Sequence, residues 1–371
     1  MRAKELTELD KEDKQELLVK LHENKQLKQN QRNEYHGGYL FLQNIYYQLG
    51  LDKICQDIQK RYHFNFHLDT ILSRLLYGRI LFPSSKRSTA HFSQTLLEPK
   101  TLEVQHLYRG LEIIAKETDF IQEQLYKNSA TLSSRKTDVL YYDCTNFYFE
   151  IEEEDEEGQL RHYGCSKEQR QIQRASKWIG KPADYKKKQS TDPKRFPKVT
   201  ETTRDGEIAE KTFIELDEER VLSEARFDGI YAVTTNLDDL IETIVSINQR
   251  RWEIEECFRI MKHELKARPV YLSREDRISA HFTTCFLALI IYRYLELAVQ
   301  KQFTCTELIE TLRSYTFRYL PGFGYLPNNT RTAITDELHQ TFGFRSDYQI
   351  ISEKKMKKIL QSSKSRKSTH F

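Results

Sequence analysis

One stretch, Asp138 to Ile151 (DVLYYDCTNFYFEI), constrains the fold of this chain more than any other: it is dense in Val, Leu, Tyr and Phe, with a carboxylate in its middle. That composition marks a well-buried strand or strand pair, whereas the residues before it carry the apolar spacing of helices. The chain is therefore expected to be α+β, helices first. On an alternating strand Asp143 shares a face with Val139, Tyr141 and Thr145. A charge on such a strand is costly unless a metal or cation compensates it. The alternative is a hydrogen-bonded Asp at a strand end, with Asn146 supporting a turn. Local sequence leaves both readings open.

Residues 1–136 are predicted to form a helical N-terminal domain. A polar helix over roughly 10–30 precedes Gly37-Gly38. An apolar-periodic segment then runs from Tyr39 to Leu49 and is closed by Gly50 as a C-cap. Further helices fit roughly 51–61, 69–81, 86–97, 103–116 and 118–128. Pro83-Ser84-Ser85 separates two of them in a helix–turn–helix outline, with Lys86, Arg87 and His91 near the start of the second helix, where a DNA-reading helix carries its contacts. Ordinary helix packing gives the same outline.

Charge is segregated. The 58 Lys and Arg exceed the 55 Asp and Glu by only 3, which alone implies no polyanionic partner. Yet seven acids crowd residues 150–157, twelve Lys and Arg lie between Arg161 and Lys198, and seven more between Lys354 and Lys367. Such blocks are usually solvated surface. Residues 198–216 (KVTETTRDGEIAEKTFIEL) form an expected hairpin turning at Asp205-Gly206. Asp217 to Arg226 is expected to be helical, GIYAVTT (229–235) is a further strand signal, and long helices follow from about 238 to 300. The six cysteines are scattered without a CxxC pair, which argues against a zinc site or disulfide framework and suits a reducing cytoplasm. The N-terminus is too charged for a signal peptide, and the most apolar stretch, Phe286 to Tyr292, is too short to cross a bilayer. A soluble cytoplasmic protein with no membrane contact is expected.

The second chemically suggestive cluster is RWEIEECFRIMK, residues 251–262. At ~100° per residue, Arg251, Glu255 and Lys262 line one stripe of a helix, with Arg259 and Lys266 beside it. Ile254, Phe258, Met261 and Leu265 form an apolar flank. A carboxylate between cations at the border of a buried face suits metal and phosphate work. A surface ladder of i,i+4 pairs, Arg251/Glu255 and Glu255/Arg259, accounts for the same spacing.

Arg-x3-Glu-x6-Lys after a strand and helix resembles the signature of insertion-sequence DDE transposases with a ribonuclease H-like core, the insertion-sequence-four superfamily. Asn248 stands where that signature opens with Tyr. DVLYYDCTNFYFE is similar to the family's first catalytic strand, RPVYLSREDRISAHF to the segment after its Glu-bearing helix, and LSRLLYGRILFPSSKRST to its N-terminal helical region. The resemblance implies a helical N-terminal domain (1–136) with possible DNA-end binding. It also implies the first-strand region of an α/β catalytic domain (137–170), the remnant of a β-rich insertion (171–226), the Glu-bearing strand and helices (227–300) and a C-terminal region with a basic tail (301–371). It further implies Mg²⁺ held by Asp143 and Glu255, and phosphate contacts from Arg251, Arg259, Lys262 and Arg268, with Lys86 and Arg87 as DNA contacts. The implied partners are terminal inverted repeats and target DNA, in a bacterial nucleoid-associated protein acting as a homo-oligomer or beside a full-length copy.

The family's chemistry needs a third acid, since two Mg²⁺ ions ~4 Å apart require converging carboxylates. Asp184, Asp192, Asp205, Asp217, Asp228, Asp238 and Asp239 are poor candidates, none following a long apolar strand. GCSKEQR runs directly into QIQRASKWIG, as if the centre of the ribonuclease H-like sheet had been deleted between Lys167 and Arg170. The expectation is thus an incomplete ribonuclease H-like domain and a transposase that binds DNA but does not cut it. Its roles would be repressor, poisoning subunit or non-functional remnant.

Overall fold

The structure, a computed structural model, describes residues 26, 28–132, 197–202, 211–216 and 239–366. They divide between two compact units, one drawn from residues 1–150 and 253–371 and the other from 151–252. Described elements in chain order are β1 (Glu34–His36), α1 (Tyr39–Gln48), α2 (Leu51–Arg61), α3 (Leu68–Leu81), α4 (Lys86–Ser93), α5 (Val104–Lys116), α6 (Thr118–Ser129), β2 (Pro197–Thr202), β3 (Lys211–Leu216), α7 (Ile241–Gln249), α8 (Trp252–His263), α9 (Glu275–Ala298), α10 (Cys305–Ser314), β4 (Thr316–Leu320), β5 (Gly324–Pro327), α11 (Ala333–Phe342) and α12 (Glu353–Ser362). The chain is α+β, as expected.

In the larger unit the apolar pattern decides which helices lie at the centre. α1 buries nine of its ten residues, the behaviour of a helix apolar on all sides. α2 buries Leu51, Ile54, Cys55 and Ile58, one face at i, i+3, i+4, i+7 spacing. Between them Gly50 takes a left-handed φ of 68°, open to glycine at little cost. The Asn128 side-chain amide reaches in to donate to the Leu49 carbonyl at 2.9 Å. α9 is the central helix, packed against α5, α3 and α1. Among the described residues it is also the one helix long and apolar enough to cross a membrane by length and composition. It runs well beyond the Phe286–Tyr292 stretch, and its apolar faces are covered by the protein's own helices.

Of residues 1–136, expected as a domain of their own, the described ones (26 and 28–132) share one core with α9 to α12. A small antiparallel sheet ties the same ends together. β1 pairs with β4, Tyr35 opposite Phe317, and β4 with β5, Tyr319 opposite Tyr325. α4, expected to reach residue 97, stops at Ser93. Its continuation turns to hydrogen-bond β1, with the His36 amide donating to the Thr95 carbonyl at 2.8 Å and the Leu97 amide to the His36 carbonyl at 3.2 Å. Residues 28–30, expected to finish the first helix, form a turn. Two cations near the end of the basic run Lys354–Lys367 are held by acids rather than left solvated: Lys364 pairs with Glu98, and Arg366 with Asp52. Ser363 accepts from Gln43 at 3.0 Å. Cys55, Cys257, Cys285 and Cys305 are free thiols.

In the second unit β2 and β3 form the expected antiparallel hairpin, Val199 opposite Ile214, and α7 follows. Asp143 with its strand, the GIYAVTT strand, the Asp205-Gly206 turn and the helix expected at 217–226 lie outside the described residues.

Candidate functional site

The described residues bring cations together where the sequence reading had placed them apart. α3 ends at Leu81 because Pro83 follows, and the residue before a proline is driven from helical conformation (Phe82, φ −137°, ψ 71°). Ser85 then caps α4, accepting from the Ser88 amide at 3.2 Å. This turn puts Lys86 at the first position of α4, pointing inward and only 6% exposed, while Arg87 and His91 face solvent. Of the two cations read as helix–turn–helix contacts, one is exposed and the other belongs to the interior.

The opposite wall comes from the chain after α8. That helix closes with the Leu265 amide donating to the Ile260 carbonyl and the Ala267 amide to the Met261 carbonyl, both at 2.9 Å. Lys266 is left at a positive φ of 44°. The buried Arg79 guanidinium reaches across from α3 and donates from Nη1 to the carbonyls of Leu265 at 3.2 Å and Lys266 at 3.3 Å. His281 of α9 adds a contact from Nε2 to the Ala267 carbonyl at 3.0 Å. Burial pushes its pKa down to about 3, helped by Lys86 and Arg79, so the ring is neutral and Nε2 is the donor.

Between these walls lies a cavity of about 400 Å³ lined by Arg79, Lys86, Lys266, Arg268 and His281, with Tyr108, Val270 and Tyr271 among its apolar surfaces. Among the described residues no Asp or Glu lines it. Burial lowers the Lys86 pKa to about 7, with the Arg79 charge acting in the same direction and Cys285 against it. Arg268 and Lys86, both expected as nucleic-acid contacts, thus meet in one place. Arg79 and His281 were not foreseen, although an Arg inside the apolar run ILSRLLYGRIL was a signal available in the sequence.

The other expected residues are arranged differently. Glu255 is exposed on α8, and the ladder through it does not form. Arg259 instead makes a two-bond pair with Glu256, both bonds at 2.7 Å, which lowers the Glu256 pKa and raises that of Arg259. Lys262 is half-buried on α8, and Arg251 is exposed just before it. Asp143, the partner that a metal at Glu255 requires, lies outside the described residues. Among the described residues the one group of three metal-ligating side chains is Asp336, His339 and Asp347. Arg345 pairs with both of these carboxylates and Arg331 with Asp336, so their charge is already balanced. Glu255 belongs to no such group among the described residues. Comparison with known proteins finds no matching family model, no matching curated protein and no matching solved structure.

Proposed function

We propose that this chain is a DNA-binding protein of insertion-sequence transposase descent, holding the phosphate backbone at its cation-lined cavity and not cleaving it. The supporting observation is the convergence of Arg79, Lys86, Lys266 and Arg268 around one cavity without a carboxylate. Clusters of like charge are unfavourable in a folded protein and gain stability from a polyanion. Lys266 is exposed and lines the cavity, and the planar fork of Arg268 beside it suits a phosphate. The resemblance of residues 251–262 and 138–151 to the transposase blocks supplies the descent, and with it an incomplete ribonuclease H-like domain.

Binding without cutting follows from the acids. No step through Mg²⁺ is derived, because Glu255 stands in no cluster of ligands among the described residues and the sequence between Asp143 and Glu255 offers no convincing third carboxylate. The direct test is gel retardation of labelled duplex by the full chain. Binding should fall by roughly a hundredfold or more between 50 and 200 mM salt, as multiple phosphate contacts demand, and weaken in Lys266→Ala/Arg268→Ala. The same mixtures with Mg²⁺ or Mn²⁺ should show no nick. Salt-independent binding, or cleavage that disappears in Asp143→Ala, overturns the reading.

A further inference from the structure

Lys86 is a buried cation with no partner. It is 6% exposed, it lines the cavity, and no hydrogen bond or ion pair reaches its ammonium among the described residues. The charged and titratable groups around it are Arg79 from α3, His281 and Cys285 from α9, and Lys266 and Arg268 from the segment after α8, none of them an acid. Arg79 adds positive charge while its guanidinium is engaged by carbonyls. The first turn of α4 also opens here. Ser85 takes the Ser88 amide, leaving the amides of Lys86 and Arg87 without intrahelical acceptors by helix geometry. A largely buried ammonium without a counter-charge is costly, and an anion in the cavity would compensate it.

We propose that this cavity binds a phosphomonoester, the terminal phosphate of a nucleotide, with the phosphate on Lys86 and the α4 amides and the adjoining nucleoside against Tyr108, Val270 and Tyr271. Depth selects the monoester. A backbone phosphodiester is tethered on both sides, whereas a chain end or a free nucleotide is tethered on one and fits more easily over an ammonium on a residue only 6% exposed. The volume lies in the range of small-molecule sites, and the apolar upper wall suits a sugar and base rather than a bare inorganic ion. Two sources share this chemistry: the phosphorylated end of a DNA strand and a free mononucleotide. Only the first rests on the DNA-binding reading above.

Calorimetric titration of the full chain at neutral pH, with thymidine, thymidine 5′-monophosphate and a six-residue oligothymidylate with or without a 5′-phosphate, tests the proposal. The monophosphate should bind where thymidine does not, and the phosphorylated oligonucleotide at least tenfold more tightly than its unphosphorylated twin. Lys86→Met should abolish both differences. Ser85→Asp should do the same by placing a carboxylate beside the ammonium, while Asp preserves the helix cap. Equal binding with and without the terminal phosphate overturns the proposal, as does discrimination that survives in both variants. Discrimination for the mononucleotide alone, with no retardation of duplex, keeps this site and removes the DNA-binding function. Retardation without discrimination does the reverse.

Discussion

Arg79 donates through Nη1 to the carbonyl of Leu265, 186 residues further along the chain, at 3.2 Å. Together with the bond to Lys266, this one buried side chain fixes the segment after α8 against α3 and so sets the cavity's width. A charged hydrogen bond is worth roughly 1.5–3 kcal/mol, and a stranded buried acceptor costs about 1–3 kcal/mol. Arg79→Met should therefore lower unfolding free energy by roughly 2–4 kcal/mol in a urea titration, with Arg79→Lys recovering part of the loss. A change below about 0.5 kcal/mol would show that the segment is held by its other contacts.

The approach of α1 to α10 is equally specific. A Cβ built on Gly38 would lie 2.0 Å from the Leu312 carbonyl oxygen, and one on Gly37 2.2 Å from the Phe317 ring. The first obstacle is backbone and cannot turn aside. Gly38→Ala should cost more than about 3 kcal/mol or prevent folding, as overpacking against a fixed neighbour does. Gly322→Ala provides the contrast: nothing lies within 4 Å of its Cβ, but φ is 82°, so only the left-handed backbone penalty of about 1 kcal/mol applies. Comparable thermal shifts for the two variants would contradict the packing argument.

These contacts show where the sequence was legible. α2 spans Leu51–Arg61 and α3 Leu68–Leu81, close to the expected ranges, because a repeating apolar face is written in neighbouring residues. β1 was not visible: three residues have no period, and their partner Phe317 lies at the far end of the chain. Gly37-Gly38 was read as punctuation, although its role is close approach to Leu312 and Phe317. Arg259 chose Glu256 over Glu255, a choice between two spacings that the sequence permits equally. Lys86 and Arg268, singled out in the sequence as cations of interest, line one cavity. That Lys86 faces inward, beside an unforeseen Arg79 and His281, depends on tertiary packing that no local pattern records.

The burial of Lys86 should be measurable through pH. Its pKa falls from the ordinary 10.5 to about 7. Below pH 7 the group is protonated in both folded and unfolded states, and the full cost of burying the charge is present. Between about 7 and 10.5 the unfolded chain holds the extra proton, so its contribution to stability rises with pH. His281 is already neutral in this window, and burial raises the Cys285 pKa above its ordinary 9.0. Lys86→Met, which lacks the cost, should be more stable than the parent at pH 6 in thermal unfolding, with the gap closing toward pH 10. A gap independent of pH would mean that the ammonium is solvated.

His281, which lines the same cavity, works in the opposite pH range. Its pKa drops from 6.5 to about 3, through burial first and the Lys86 and Arg79 charges second. Between those values the unfolded chain binds a proton that the folded chain refuses, so stability falls as pH drops from 6.5 toward 3. At pH 4 this one group withdraws on the order of 3 kcal/mol. Protonating the ring would also place a third positive charge beside Lys86 and Arg79, which is why the acid effect should be steep. His281→Gln keeps an N–H donor for the Ala267 carbonyl but cannot take up the proton. Its stability should match the parent near pH 7 and exceed it at pH 4, and parallel stability curves across that range would show that His281 titrates normally and that the wall is open to water.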